Sequence, residues 1–276
     1  MMSYSFSRFV LVCMGIGIAL VSYMYYKRTA DIVPNSEQLK ELLQTKPIHH
    51  IGIIMDGNRR WAKKHGLKPW IGHKEGVNPV KETITFCMEY GIKHLTLYVF
   101  SLENFSRPQA ELSYLFDTLA QEIAHKEMDE LFAKGIRVRF IGDATQFPPQ
   151  LISIIKDTEQ KTAQNSSLYL NLLFCYGGQQ ELTAAAHKLC EHYATNTSKK
   201  RSITKEILQS YLWSAELPAI DLIIRTAGDQ RLSNFLPFQS AYSELYFLRC
   251  YWPELTQEHL IEAVHSFVNT KRNFGA

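Results

Sequence analysis

Short apolar segments alternate with longer segments of helical periodicity along most of this sequence, and this alternation limits the folds that the chain can adopt. The apolar segments are rich in β-branched or aromatic residues and occur at Ile51–Met55, Leu95–Phe100, Ile136–Ile141, Leu168–Phe174, Leu222–Arg225 and Leu245–Leu248. Helical periodicity occurs at about 75–90, 112–134, 150–164, 179–194, 204–213 and 256–270. The pattern predicts an α/β fold with a mainly parallel sheet of about six strands, flanked by helices on both faces.

Length, charge and cysteine usage exclude several classes of protein. The 276 residues suffice for one large α/β domain or two small ones. A formal net charge of +3 gives no sign of nucleic-acid binding. The five cysteines form no CxxC pair, so neither a disulfide framework nor a zinc site is expected, and a reducing compartment fits best. The glycine-rich motifs of P-loop and Rossmann nucleotide sites are missing from the sequence.

The N-terminal segment Phe9–Tyr26 is uncharged over eighteen residues, near the lower limit for a helix that spans a bilayer. Arg8 precedes it, and Lys27 and Arg28 follow it, so the charge bias places its C-terminal side in the cytoplasm. We therefore predict a hydrophobic helix within residues 1–28 that anchors the protein at the cytoplasmic face of a membrane. The alternatives are a cleaved signal peptide, which is disfavoured because no small-x-small site follows the apolar segment, and an upstream start codon that adds nonfunctional residues.

The remaining sequence divides into two parts. Residues 29–47 are polar and contain two prolines, which predicts a linker with a short helix around Glu37–Leu43. Residues 48–276 carry the strand–helix alternation and form the predicted catalytic domain.

A phosphate-type motif follows the first predicted strand, where open parallel sheets bind their ligands. Gly57 allows a tight turn, and Arg59 and Arg60 offer forked donors at the start of a helix. Asp56 would repel an anion there unless a cation mediates, and Mg²⁺ bridges carboxylates and phosphates in this way. The alternative is an ordinary turn in which Asp56 caps a helix.

Further polar groups follow the other predicted strands. His73 lies in a Gly-His pair downstream of the first motif, and the loop from Ser101 to Pro108 follows the second strand. After the fifth strand, Arg225 and Arg231 flank a glycine turn, and Glu244 stands beside an apolar segment. Two basic sites, each with a carboxylate, suggest two diphosphates that share a metal. The alternatives are a surface histidine, a capped loop and solvated arginines.

Five segments together resemble the undecaprenyl diphosphate synthase family of cis-prenyltransferases. They run in the family's order and spacing from about His49 to the C-terminus, as HIGIIMDGNRRWAKK, GHKEG, SLENFSRP, YGG and DLIIRTAGDQRLSNFLPFQSAYSELYF. The resemblance implies a parallel sheet wrapped by helices, a hydrophobic tunnel for the growing chain, and a homodimer. It also implies a Mg²⁺-dependent enzyme that condenses isopentenyl diphosphate repeatedly with an allylic diphosphate such as farnesyl diphosphate. The implied product is a long Z-polyprenyl diphosphate, such as undecaprenyl diphosphate, which is a lipid-carrier precursor for cell-wall or glycan synthesis.

The resemblance also implies roles for individual residues. Asp56 matches the essential aspartate at the metal and the diphosphate, and Glu244 matches the second metal ligand. The positions around the allylic diphosphate are matched by Gly57, Asn58, Arg59, Arg60 and His73, and the aromatic positions near the substrate are matched by Trp61 and Phe105. The mobile loop that closes over the site is matched by Ser101, Glu103, Asn104 and Arg107. The isopentenyl diphosphate site is matched by Arg225, Arg231 and Ser233. Asn104 matches a position often assigned as proton acceptor, but a neutral amide is a poor base. We expect Asn104 to position a group while the released diphosphate takes the proton.

Three positions depart from the family pattern. Pro69, beside Lys68, replaces a common arginine, and Gln230 and Gln179 replace a common histidine and arginine. The first departure puts one allylic-diphosphate contact in question.

An apolar stripe follows the loop after the second strand and could line the tunnel, although an ordinary core stripe has the same pattern. It consists of Leu112, Leu115, Phe116, Leu119 and Ile123. Two other functions remain open at this point. One is a non-catalytic partner subunit of a prenyltransferase, and the other is a Mg²⁺-dependent phosphohydrolase.

Overall fold

The computed structural model describes residues 34–123, 126–195 and 202–272. The predicted anchor Phe9–Tyr26 lies outside these ranges. Within them, no helix combines the length and the apolar character needed to cross a bilayer.

The six predicted strands are confirmed, and all of them pair in parallel in one sheet. The strands are β1 (His50–Ile54), β2 (His94–Ser101), β3 (Ile136–Ile141), β4 (Leu168–Tyr176), β5 (Leu222–Arg225) and β6 (Glu244–Phe247). Their order across the sheet is β3-β4-β2-β1-β5-β6.

Helices connect the strands and cover both faces of the sheet. They are α1 (Ser36–Thr45), α2 (Asn58–Lys64), α3 (Ile71–Glu75), α4 (Val77–Glu89), α5 (Gln109–Ile123), α6 (Lys126–Ala133), α7 (Pro149–Thr162), α8 (Gly178–Thr195), α9 (Lys205–Gln209) and α10 (Gln257–Asn269). The periodicity at 112–134 corresponds to α5 and α6, described on either side of residues 124–125.

Both faces of the sheet are buried, because neighbouring residues of one strand belong to different hydrophobic clusters. Ile53 and Ile224 pack in a cluster with α4 and α10. Ile54 and Ile223 point to the opposite face and pack with Phe235 and its neighbours. Burial on both faces explains why the strand sequences are continuously apolar rather than alternating between apolar and polar residues.

Helix α1 packs against the same core as the sheet and α10. Leu39 and Leu43 are buried in the same cluster as α10. The ammonium of Lys46 donates to the backbone carbonyls of Phe267 and Val268 at 2.8 and 3.0 Å, at the C-terminal end of α10. The described part of the segment 29–47 is therefore integrated into the domain.

The strand order creates a switch point between β1 and β5. The chain leaves β1 toward β2 on one side and leaves β5 toward β6 on the other. Ligands of open parallel sheets bind in the crevice beyond the carboxyl ends of the strands at such a point. This crevice is where the residues after β1 and β5 meet.

Candidate active site

Asp56 stands at the centre of the crevice. It follows β1, and Ile54 at the end of β1 pairs with Arg225 at the end of β5. One carboxylate oxygen of Asp56 lies 2.9 Å from Nη2 of Arg225 and 3.0 Å from Nη2 of Arg60. The other oxygen accepts from the backbone N–H of Gly57 at 2.6 Å. Three donors from two segments therefore fix the carboxylate.

Gly57 has a left-handed backbone conformation that only glycine adopts readily. Its φ is +104°, and a Cβ at this position would lie 2.8 Å from a ring atom of Tyr251 and 3.0 Å from Cβ of Ala227. The sharp turn directs the next residues into α2, whose first turn carries Arg59 and Arg60. Asn58 donates to the carbonyl of Met55 at 3.2 Å and lines the crevice.

The turn after β5 surrounds a buried arginine. Arg225 is only 3% exposed, donates to Oγ of Ser233 at 2.8 Å, and also donates to the backbone carbonyl of Arg231. The backbone of this turn has positive φ at Ala227, Ser233 and Asn234, which is costly for residues other than glycine and is typical of functional sites. Arg225, Arg231 and Ser233 are therefore brought together, with Arg225 as the internal support.

Asp229 is a second carboxylate at this edge, and its role was missed in the sequence. It accepts from Arg60 at 2.7 Å and from Arg231 at 2.8 Å. The hydrogen bond from Arg60 lowers the pKa of Asp229 below its usual value, with the charges of both arginines adding to the effect. Arg60 thus joins Asp56 to Asp229 and links the two halves of the site.

Glu244 does not lie beside Asp56. The prediction that both residues bind one metal ion within the same chain is therefore wrong. Glu244 begins β6 and pairs with Leu222, which in turn pairs with Ile51. Three residues of strand separate this level from Ile54 at the carboxyl edge, or about 10 Å at the rise of a β-strand. Glu244 lies instead near Arg272, at 3.8 Å.

Basic groups from three segments gather on the other side of Asp56. His73 comes from α3, Arg59 from α2, and Arg107 from the loop after β2, and Arg107 donates to Nε2 of His73 at 3.4 Å. Burial, followed by the positive charges of Arg107 and Arg59, lowers the pKa of His73 to about 3. His73 is therefore neutral at physiological pH.

A buried carboxylate lies beneath these three groups. Glu111 on α5 is 2% exposed, and its Oε1 lies 3.5 Å from Arg59, 3.5 Å from Arg107 and 3.6 Å from His73. In the sequence, Glu111 is an acidic residue in the first turn of an amphipathic helix, and no motif distinguishes it from an ordinary surface glutamate.

The loop after β2 is held by a local cap and by a contact with the turn after β5. The side chain of Asn104 accepts from the backbone N–H of Ser101 at 3.2 Å and so caps the short 3₁₀ turn Leu102–Ser106. Glu103 accepts from Asn234 at 2.9 Å, which ties the loop to the turn after β5. Ser101 and Asn104 both line the crevice.

Trp61 and Phe105, the two predicted aromatic site residues, pack against neighbouring aromatic rings. The ring of Trp61 lies 4.2 Å from that of His65. Phe105 packs edge-to-face on Phe100 at 4.9 Å and contacts Phe116, so it anchors the loop to the core.

The crevice and an apolar region behind it form one continuous cavity of about 850 Å³. Its deeper walls are formed by Leu97, Leu115, Leu119, Ile123, Leu170 and Leu172. The predicted tunnel stripe on α5 is therefore divided. Leu112 and Phe116 pack into an aromatic core with Phe100 and Phe174, and the other three residues face the cavity.

Pro69 lines the cavity mouth near His73 and Arg59. We expect Pro69→Arg to lower the KM for an allylic diphosphate severalfold or to leave it unchanged, because a forked donor would be added beside an existing anion site. Steady-state kinetics with Pro69→Ala as the control would check this. A large loss in Pro69→Arg alone would mean that the cavity mouth has no room for the side chain.

Three comparisons with known proteins agree. Residues 54–275 match the prenyltransferase family described as undecaprenyl diphosphate synthase. A ditrans,polycis-undecaprenyl-diphosphate synthase of Haemophilus ducreyi, specific for (2E,6E)-farnesyl diphosphate, is 42% identical over 82% of this chain and 93% of its own length. An isoprenyl transferase of Aquifex pyrophilus is 40% identical over 82% of this chain and 95% of its own.

A solved structure has the same fold. Lavandulyl diphosphate synthase from Lavandula x intermedia, in complex with dimethylallyl diphosphate, superposes with a TM-score of 0.80 at 31% identity, over 83% of this chain and 98% of its own. The basic crevice, the apolar cavity behind it and these matches lead to one conclusion: the chain belongs to the undecaprenyl diphosphate synthase family of prenyltransferases.

Proposed function

We propose that this protein condenses isopentenyl diphosphate repeatedly with an allylic diphosphate, farnesyl diphosphate in particular, to give a long Z-polyprenyl diphosphate. The observation that carries the proposal is one continuous cavity of about 850 Å³, with basic groups on both sides of Asp56 at one end and apolar walls at the other. A diphosphate with an isoprenoid tail has the same division into an anionic head and an apolar chain. The farnesyl specificity in the name of the Haemophilus ducreyi relative supports the choice of primer.

Each half of the site has a defined task in this reaction. Arg59, Arg107 and His73 bind the diphosphate of the allylic substrate, and the two guanidiniums stabilise the negative charge that grows on it as its bond to C1 breaks. Ser233 and Arg231, supported by Arg225, hold isopentenyl diphosphate. The alkene of the second substrate then forms the new carbon–carbon bond to C1.

The reaction ends with the loss of one proton from the isopentenyl unit. Asn104 lacks the basicity for this step, and its side chain already accepts from Ser101. We assign it to positioning, and the departing diphosphate takes the proton. The lengthened chain then occupies the cavity as the next allylic substrate.

Magnesium fits the donor set at Asp56. Mg²⁺ is commonly held by one or two carboxylates together with substrate phosphate oxygens and water. Asp56 and Asp229 supply carboxylates at this edge, although among the described residues no cluster of three or more His, Cys, Asp or Glu side chains could hold an ion by itself. When bound, Mg²⁺ would neutralise part of the diphosphate charge.

Product analysis separates this function from its alternatives. Purified protein is incubated with Mg²⁺, labelled isopentenyl diphosphate and farnesyl diphosphate. Extractable chains longer than the primer are expected. Release of diphosphate or phosphate without elongation would favour a phosphohydrolase, and binding without turnover would favour a non-catalytic partner subunit.

A homodimer through the edge strand β6 is part of this proposal. β6 is the last strand of the sheet, and Leu245 on it and Tyr242 before it are exposed. An exposed apolar edge is a typical interface for a second copy. Sedimentation equilibrium is expected to give twice the chain mass, and a monomer at micromolar concentration would contradict the proposal.

We further propose that Phe9–Tyr26 anchors the protein at the cytoplasmic face of a membrane, where a product with poor aqueous solubility can enter lipid. The full-length protein is expected to sediment with membranes and to resist extraction by high salt, because the attachment is apolar. A truncated protein starting at Asp31 keeps α1 and is expected to be soluble and active. Full-length protein in the soluble fraction without detergent would exclude the anchor and favour the misassigned start codon.

A further inference from the structure

The buried carboxylate of Glu111 has one oxygen without the hydrogen bond that normally compensates burial. Its Oε1 has no hydrogen-bond partner among the described residues, although three basic side chains lie within 3.6 Å. Glu181 provides the contrast, since it is equally buried but accepts from the hydroxyl of Tyr176 at 2.6 Å and from both the N–H and the hydroxyl of Ser214. A buried charge is costly unless it is paired, so the neighbours of Glu111 must supply the compensation.

The groups around Glu111 come from three separate segments of the chain, and the two arginines among them carry the compensating charge. Arg59 lies on α2, His73 on α3, and Arg107 at the end of the loop after β2. Without a negative charge at their centre, the two guanidiniums would repel each other, and the charge of each already lowers the pKa of His73. Glu111 therefore holds like charges together before a substrate is present.

The distances indicate how Glu111 acts. At about 3.5 Å the contacts are ion pairs without the short, aligned geometry of hydrogen bonds, so the N–H donors of Arg59 and Arg107 are not consumed by the carboxylate. The side chain of Arg59 remains half exposed at the crevice, and Glu111 is covered. The carboxylate thus attracts the arginines from below and leaves their donors available to an anion above.

We propose that Glu111 is a positioning residue for the allylic diphosphate, acting through Arg59 and Arg107 beside the neutral His73, and that it also links the loop after β2 to the anion site through Arg107. This inference rests on the proposed function, because it assigns these three groups to the allylic rather than the isopentenyl substrate. Glu111 itself does not touch the substrate.

The test is a comparison of Glu111→Gln with the wild type. This change removes the charge and keeps the size of the side chain. We expect the KM for farnesyl diphosphate to rise about 10-fold, the effect of losing one ion-assisted contact, while the KM for isopentenyl diphosphate stays within about twofold of the wild type. Glu111→Asp, which keeps the charge but shortens the side chain, is expected to raise the KM for farnesyl diphosphate measurably, but less than Glu111→Gln does.

Glu181→Gln is the matched control, because it removes a buried carboxylate that lies outside the site. It is expected to lower the melting temperature without changing the ratio of the two KM values. If Glu111→Gln behaves in the same way, Glu111 is structural only and the proposal is overturned.

A second variant pair keeps the test valid if Glu111→Gln does not fold. In an Arg107→Ala background, Glu111→Asp is expected to change the KM for farnesyl diphosphate less than it does in the wild type, since one of its intermediaries is gone. Equal changes in both backgrounds would refute action through Arg107. A wild-type protein that does not elongate farnesyl diphosphate would refute the proposed function itself, whereas normal elongation with an unaffected Glu111→Gln would refute only this inference.

Discussion

Asp56→Asn is expected to lower the kcat of chain elongation by about 10³-fold or more, the scale of strong electrostatic contributions to catalysis. The change keeps the size of the side chain and removes the charge that lies between Arg60 and Arg225. The fold should persist, because the backbone carbonyl of Asp56 still accepts from Thr226 at 2.6 Å. Steady-state assays with labelled isopentenyl diphosphate would measure kcat, and thermal unfolding would measure the stability of the fold.

Asp143→Asn is the control for this experiment. Asp143 also follows a strand at the carboxyl edge, but it follows β3 at the far side of the sheet and caps a turn through the N–H of Thr145. The activity of the Asp143→Asn variant should remain near that of the wild type. Near-normal activity of Asp56→Asn at saturating Mg²⁺ would remove Asp56 from the centre of the site.

Arg225→Gln is expected to have the second-largest effect, with a fall in kcat/KM of about 10²-fold or more. Arg225 is nearly inaccessible and supports Asp56, Ser233 and the backbone of Arg231 at once. Loss of a buried charged partner is also expected to reduce the free energy of unfolding by about 2 kcal/mol, less than for a fully buried pair because Asp56 is partly exposed. Denaturant titration and steady-state kinetics would measure the two effects.

Arg231→Gln is the matched control for Arg225→Gln. The side chain of Arg231 is 62% exposed and pairs with Asp229 at the surface. We expect a higher KM for isopentenyl diphosphate and little change in stability, since exposed ion pairs contribute little to it. Equal losses of stability in both variants would contradict the internal role assigned to Arg225.

The fold was predictable because its signal is local. Strands buried on both faces need continuous apolar segments, and Leu222–Arg225 and Ile136–Ile141 begin and end where the sequence predicts. The crevice was predictable for a related reason, because carboxyl ends of parallel strands meet at one edge. That rule alone brings Asp56 together with Arg225.

The features of the site that were not predicted depend on contacts between residues far apart in the sequence, which no local pattern encodes. Glu244 is close in sequence to the second anion turn, but its register with Leu222 places it at the other end of the sheet. Asp229 reads as an ordinary turn residue, and its importance comes from Arg60, far away in the chain. The apolar stripe on α5 could not be divided into cavity wall and core without knowing which strands it faces.

The most direct test of the proposed function is the mass spectrum of the lipids made from farnesyl diphosphate and isopentenyl diphosphate, with the geometry of the new double bonds determined by NMR. The wild-type protein is expected to give a series of polyprenyl diphosphates that differ by one C5H8 unit, with Z geometry in every added unit, and Asp56→Asn far less of it under the same conditions. Farnesyl diphosphate recovered unchanged or only dephosphorylated, or a product with E geometry in the added units, would contradict the proposed function.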